Sequence, residues 1–163
     1  MKFPLLNKRK LPIIEVHLVS IKHPQNFVDP NPDYQATILD KTGKEVGSAT
    51  FGINPLCDVA YVYRIDVLAE HQRRGYASAF LCWLYSNYHH PIIPIHIVGD
   101  ARNFWSATRA FPHQLLVVQD ELRASEMDAE KKRWEHLIPE PEHKQLQRIC
   151  ESSPTWQQKF QAP

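Results

Sequence analysis

Short stretches within the first 67 residues alternate in part between apolar and polar positions, and the first of them, residues 13–21, is also rich in β-branched residues, a pattern that predicts β-strands. Residues 40–43, which end in Gly43, have the composition of a tight turn, so the strands on either side form a hairpin. Prolines and asparagines predict a loop at 23–32. The predicted strands span residues 13–21, 34–39, 44–52 and 59–67.

After residue 67 the apolar spacing becomes that of amphipathic helices separated by short apolar runs. The clearest helix has apolar residues at 77, 80, 81, 84 and 88 and ends before Pro91. In the next apolar run Pro94 lacks a backbone N–H, so that strand must be an edge or a splayed strand. The predicted elements are helix 76–88, strand 92–98, helix 101–111, strand 113–119, and helices 121–137 and 142–150.

This order of elements predicts an α+β fold with a mixed, mostly antiparallel sheet. A chain of 163 residues is long enough for one domain with its own core. We place that domain at residues 1–120. The charged composition after it predicts a helical C-terminal extension at 121–163, packed on the same domain or on a partner subunit in a homodimer.

Composition and charge argue against several classes of protein. A net charge of +1 provides no basic surface for nucleic acid, and the cluster of basic residues at 8–10 is typical of a solvated segment. The sequence contains no run of about 18 apolar residues, so we expect no transmembrane helix. The three cysteines are too widely spaced for a disulfide framework or a zinc site. We therefore expect a cytoplasmic protein that uses no metal and binds no membrane.

Candidate chemistry lies where the fourth predicted strand gives way to the helix at 76–88. The connection contains Arg73, Arg74 and Gly75. A helix start offers unpaired backbone N–H groups and the positive end of the helix dipole, and arginines add charge-assisted donors. This stretch predicts a site for a phosphate-bearing ligand at the end of a central strand.

The same stretch resembles the core loop of the GNAT superfamily, the acetyl-CoA-dependent N-acetyltransferases. Their pattern is Val-x-Pro-Glu-x-(Arg/Gln)-x-x-Gly-x-(Gly/Ala). The chain has Val67, Glu70, Gln72, Gly75 and Ala77 at the matching positions, with alanine at residue 69 in place of the proline. The resemblance spans residues 13–119 and implies a sheet with splayed fourth and fifth strands and acetyl-CoA as co-substrate.

The resemblance also implies which residues hold the cofactor. Backbone groups of Ile65 and Val67 would pair with the pantetheine arm, and Asn103 would hydrogen-bond the cofactor from the following helix. Gly75 would allow the backbone to approach phosphate or supply a positive φ. The residues that would wrap the pyrophosphate are Gln72, Arg73, Arg74, Gly75, Tyr76, Ala77 and Ser78.

The family's proton-handling residues match less well. Anchored on Phe111, the second family motif places Ser106 where many members have the tyrosine that protonates the leaving thiolate. The usual carboxylate position on the fourth strand holds Tyr61. Tyr61 or Tyr63 would orient a water or the substrate, because a phenol with a pKa near 10 is a poor base.

Two histidines, His96 and His113, are further candidates for the general base, because imidazoles titrate near neutral pH. Alternation places Tyr61, Tyr63 and Ile65 on one face of the fourth strand. Asp66 lies on the other face, unless a β-bulge shifts the phase.

The leading interpretation is an N-acetyltransferase that moves an acetyl group from acetyl-CoA to a primary amine, of a small molecule or a protein, by direct attack in a ternary complex. One alternative is a weakly catalytic acyl-CoA-binding or interaction module. Another is a toxin-like acetyltransferase that acts on aminoacyl-tRNA, for which the net charge of +1 is a poor electrostatic match.

Overall fold

The computed structural model describes residues 10–20, 33–137, 140, 142–153 and 155. Outside these residues lie the predicted loop at 23–32, basic residues 8 and 9, and residues 156–163 of the predicted extension.

A five-stranded sheet in the order β1-β2-β3-β4-β5 forms the centre of the molecule. The first four strands are antiparallel, and the last pair is parallel. This confirms the α+β class and the mixed, mostly antiparallel sheet. The strands are β1 (Ile14–Ser20), β2 (Tyr34–Asp40), β3 (Glu45–Ile53), β4 (Ala60–Val67) and β5 (Ile92–Pro94).

Within the described residues four helices accompany the sheet, and the first of them makes the crossover between parallel strands β4 and β5. None of the helices in the described ranges combines the length and the apolar composition needed to cross a bilayer. The helices are α1 (Tyr76–Tyr88), α2 (Ala101–Thr108), α3 (Met127–Lys132) and α4 (Glu142–Ser152), with 3-10 turns at Ala69–His71, Ala124–Glu126 and Glu135–Leu137.

The main core lies between one face of the sheet and α1. Phe80, Leu81 and Leu84 of α1 are fully buried and pack with Phe51 of β3 and with Trp105 of α2. Burial of each such side chain contributes roughly 1.5–3 kcal/mol to folding. This packing holds the start of α1 directly beyond the end of β4.

On the opposite face a smaller cluster is covered by the chain after residue 121. Tyr61 of β4 and Ile93 of β5 are buried there against Met127 of α3. The part of the predicted extension that contains α3 therefore packs on the sheet of the same chain. Association with a partner subunit stays a prediction.

The predicted helix at 121–137 is wrong in its continuity. The segment forms a 3-10 turn, the six-residue α3 and a second 3-10 turn. The break lets Met127 and Trp134 both be buried, with 9% and 3% of their surfaces exposed. Burial of these side chains therefore outweighs the helical tendency of the charged residues around them.

The predicted strand at 113–119 is also wrong. Residues after Pro112 turn instead, because the N–H groups of Leu115 and Leu116 both donate to the Pro112 carbonyl. Only Val118 makes an isolated bridge, to Ile92. Within this apolar run Leu116 is a core residue, with 1% of its surface exposed.

The fifth strand is shorter than the predicted span of 92–98 and ends at Pro94. It is the outermost strand of the sheet, which confirms the edge position expected from that proline. The next helix is also shorter than predicted, because α2 ends at Thr108.

Candidate functional site

A groove opens where β4 and β5 part. The two strands pair only from Ala60 to Val62 of β4, and the last contact is the Ile95 N–H donating to the Val62 carbonyl at 2.9 Å. Beyond this point β4 continues to Val67 while β5 has ended. The groove has a volume of about 1350 Å³ and lies between β4, the loop before α1, the chain after β5 and α2.

A β-bulge in β4 changes which of its side chains point to each face of the sheet. Thr50 of β3 pairs with Arg64, and its neighbour Phe51 pairs with Val62, so Tyr63 is the extra residue. Ile65 therefore packs with the main core and not with Tyr61.

The prediction that Ile65 lies on the same face as Tyr61 is therefore wrong, because the bulge shifts the phase of the alternation. After the bulge, alternation puts Arg64 and Asp66 on that face instead. Their side chains form an ion pair with each other.

The open edge of β4 presents backbone groups to the groove. The Leu68 N–H donates to the Val46 carbonyl of β3 at 2.9 Å, so residue 68 faces the sheet. By alternation the N–H and C=O groups of Ile65 and Val67 face the groove, and both residues line it. The Gln72 side-chain amide donates to the Val67 carbonyl at 3.0 Å and ties the loop to the strand end.

The loop between β4 and α1 turns sharply through two left-handed residues. Arg73 has φ 63° and Gly75, the residue before the first turn of α1, has φ 89°. A Cβ at Gly75 would lie 3.2 Å from Pro12 Cδ. Glycine is therefore needed for both the turn and the close contact.

The first turn of α1 lines the groove through Tyr76, Ala77 and Ser78. The Ala79 N–H donates to the Gly75 carbonyl, so the amides of the three residues before it have no partner within the helix. Of the two loop arginines, Arg73 lines the groove, whereas Arg74 is exposed and is not among the described lining residues.

His71 is a groove residue that sequence reasoning missed. Its ring contacts Tyr76 edge-on, with the ring centroids 5.9 Å apart. Both ring nitrogens are buried without a hydrogen-bond partner. Its place inside the motif, one residue before Gln72, is the signal that could have indicated it.

The apolar wall of the groove was also not predicted as a site. Phe104 and Trp105 of α2 and Ile97 after β5 line it. In the sequence the α2 side chains have only the spacing of a packing face, so no local signal distinguishes them from core residues.

The structure brings the predicted cofactor residues other than Arg74 together at the groove but separates the two predicted catalytic ones from them. Asn103 of α2 lines the groove, and so does His96. Ser106 is exposed on α2, and neither it nor Tyr61 is among the described lining residues. His113 lies exposed in the turn after α2, also outside the described lining.

Tyr61 is fully buried beneath α3. Its hydroxyl donates to Glu130 Oε1 at 2.6 Å, and Arg133 donates to the same carboxylate and to Asp58. Burial, followed by the hydrogen bond to Glu130, raises the pKa of Tyr61 above its ordinary value. This network fastens α3 to the beginning of β4, and it keeps the phenol protonated.

Tyr61→Phe tests this structural role. We expect a loss of about 1–2 kcal/mol in the free energy of unfolding, because Glu130 loses a buried donor. The affinity for coenzyme A, the ligand that the sequence resemblance predicts, should not change, because Tyr61 lies outside the described groove lining. Urea unfolding and calorimetric titration measure the two quantities. Tyr85→Phe on α1 is the control for removal of a hydroxyl, and a selective loss of affinity in Tyr61→Phe would contradict the assignment.

No group of three or more His, Cys, Asp or Glu residues in the described part of the chain is arranged to hold a metal ion. The described lining of the groove offers backbone amides and carbonyls, together with guanidinium, imidazole, carboxylate, amide and hydroxyl side chains. Among these groups, the backbone amides and carbonyls and the guanidinium groups suit an organic ligand that carries amides and phosphates.

The chain matches no protein-family model and no curated protein. Part of it superimposes on crystal structures of an aminoglycoside acetyltransferase from an uncultured soil metagenomic sample. The complex with trehalose has a TM-score of 0.43 at 15% identity, over 59% of this chain and 87% of that chain. The complex with sisomicin has a TM-score of 0.42 at 15% identity, over 61% and 88%. An overlap of this extent assigns neither a family nor a substrate.

Proposed function

We propose that this protein is an N-acetyltransferase that moves an acetyl group from acetyl-CoA to a primary amine in a ternary complex. One observation carries the proposal. The open backbone edge of β4 leads directly to the unpaired amides at the start of α1, within a single groove of about 1350 Å³. A ligand with an amide-bearing arm and a diphosphate matches that succession of groups.

The pantetheine arm of the cofactor carries two amides, which would extend the sheet by pairing with Ile65 and Val67. The Val67 carbonyl already accepts the Gln72 amide, but a carbonyl oxygen can accept a second hydrogen bond. The diphosphate would accept from the amides of Tyr76, Ala77 and Ser78 and from the Arg73 guanidinium. Exposed Arg74 would contribute only a screened charge.

Transfer requires few protein groups. The amine nitrogen attacks the thioester carbonyl carbon, the new C–N bond forms, the C–S bond breaks and coenzyme A leaves as the thiol. Holding both reactants in one groove supplies much of the rate enhancement, because the reaction becomes effectively unimolecular.

A second candidate is an acyl-CoA-binding module without turnover. It is favoured by the positions of Tyr61 and Ser106, since neither lines the groove among the described residues.

For the proposed homodimer, α4 offers Leu146 and Ile149 with 54% and 64% of their surfaces exposed.

Calorimetric titration with coenzyme A, and thiol release from acetyl-CoA with a panel of primary amines, test the proposal. We expect binding, and a stabilisation of about 2.7 kcal/mol at a ligand concentration of about 100 Kd. We also expect acetyl transfer to at least one amine. Binding without transfer would favour the module, and absence of binding would overturn both candidates.

A further inference from the structure

His96 has a strained backbone at a defined point of the groove. It is the second residue after β5, it has φ 51°, and its exposed side chain lines the groove. Positive φ is uncommon for residues other than glycine, and such strain persists only where the surroundings impose it.

Three consecutive hydrogen bonds impose this conformation. The Ile95 N–H donates to the Val62 carbonyl at 2.9 Å, and the His96 N–H donates to the Leu122 carbonyl at 3.1 Å. The Ile97 N–H donates to Glu121 Oε1 at 2.8 Å. The backbone is thus held on both sides of His96, once by β4 and twice by the chain before α3.

The position is the closed end of the groove. The hydrogen bond from Ile95 to Val62 is the last one between the separating strands. His96 directly follows Ile95 in the chain, and the bulge residue Tyr63 directly follows Val62. The loop before α1 lies at the opposite end of the open edge of β4. A cofactor with its phosphates at that loop and its arm along Ile65 would carry its thioester toward His96.

We propose that His96 is the general base of the transfer, an inference that rests on the proposed function. One ring nitrogen accepts a proton from the ammonium form of the acceptor. The neutral amine then attacks the thioester carbonyl carbon, and the C–S bond breaks. The remaining surplus proton of the new amide nitrogen goes to the departing thiolate, and the imidazolium releases its proton to solvent, to which it is exposed.

Three other titratable groups in or beside the groove are less suited to this role. The carboxylate of Asp66 is paired with Arg64, and Glu121 accepts the Ile97 N–H beside His96. The ring nitrogens of His71 are buried. The titratable or charged groups in the described lining of the groove besides His96 are Tyr63, Arg64, Asp66, His71, Arg73, Tyr76 and Asp100.

Two variants separate the imidazole from the backbone. His96→Asn removes the base but keeps a residue that tolerates positive φ, and His96→Gly also relieves the strain. We expect both to lower kcat/KM for the best amine of the panel by about 100-fold or more, with coenzyme A affinity unchanged. Added imidazole should partly restore transfer in His96→Gly. His89→Asn is the control and should keep full activity, because His89 is exposed, also has a positive φ of 56°, and lies outside the described groove lining.

The pH profile supplies a readout that a merely structural role would not move. Without the base only the neutral form of the amine can attack, so kcat/KM of His96→Asn should rise more steeply with pH than that of the wild type. Unchanged kcat/KM in His96→Asn, with wild-type transfer intact, would overturn the inference alone. A wild-type protein that transfers no acetyl group would overturn the proposed function and the inference together.

Discussion

Gly75→Glu is expected to lower the affinity for coenzyme A by at least about 100-fold, which corresponds to roughly 2.8 kcal/mol. The new side chain would place a carboxylate among the amides at the start of α1, where the diphosphate is proposed to bind. Its Cβ would also press on Pro12 at 3.2 Å, at a backbone with φ +89°. Calorimetric titration measures the affinity.

Gly43→Glu is the matched control for this substitution. Gly43 has φ +82° in the turn between β2 and β3, with no atom within 4 Å of an added Cβ. Both variants should therefore lose about 1–2 kcal/mol of stability through the left-handed backbone. Only Gly75→Glu should lose affinity. Equal affinities in the two variants would contradict the placement of phosphate at this loop.

Phe51→Ala is expected to lower the free energy of unfolding by about 3–5 kcal/mol, a large part of the stability of a domain of this size. The Phe51 side chain is fully buried. Its ring stacks on Tyr34 at 5.2 Å between centroids and also contacts Phe80 and Tyr88. Substitution by alanine removes all of these contacts and leaves a cavity. The urea midpoint measures the loss.

Leu115→Ala is the control for Phe51→Ala, because 54% of the Leu115 surface is exposed. It should cost less than about 1 kcal/mol. A comparable loss in both variants would mean that the packing between the sheet and α1 does not dominate the stability.

Helix α1 shows how much of the fold could be predicted from local signals. It spans Tyr76–Tyr88 as predicted. Glycine with φ 89° precedes it, and His89, with φ 56°, ends it just before a proline. Apolar spacing, a permissive start and a stop are all local properties, so the sequence alone is sufficient for them.

The regions where the prediction was wrong depend on distant contacts. The apolar run around Leu116 was predicted as a strand, yet it enters the core from a turn. The charged stretch after residue 121 breaks so that Met127 and Trp134 can both be buried. Neither outcome can be read from local periodicity, because the burying surface is formed by residues far away in the chain.

The features of the groove and of the surrounding fold can be divided in the same way. The sequence by itself determined the α+β class, the hairpin, the β4–α1 succession and the loop centred on Gly75, because alternation, helical spacing and glycine chemistry act between near neighbours. The tertiary structure decided the bulge at Tyr63, the burial of Tyr61 beneath α3 and the strained position of His96. Each of these depends on hydrogen bonds between segments that meet only in the folded chain, such as Ile97 with Glu121.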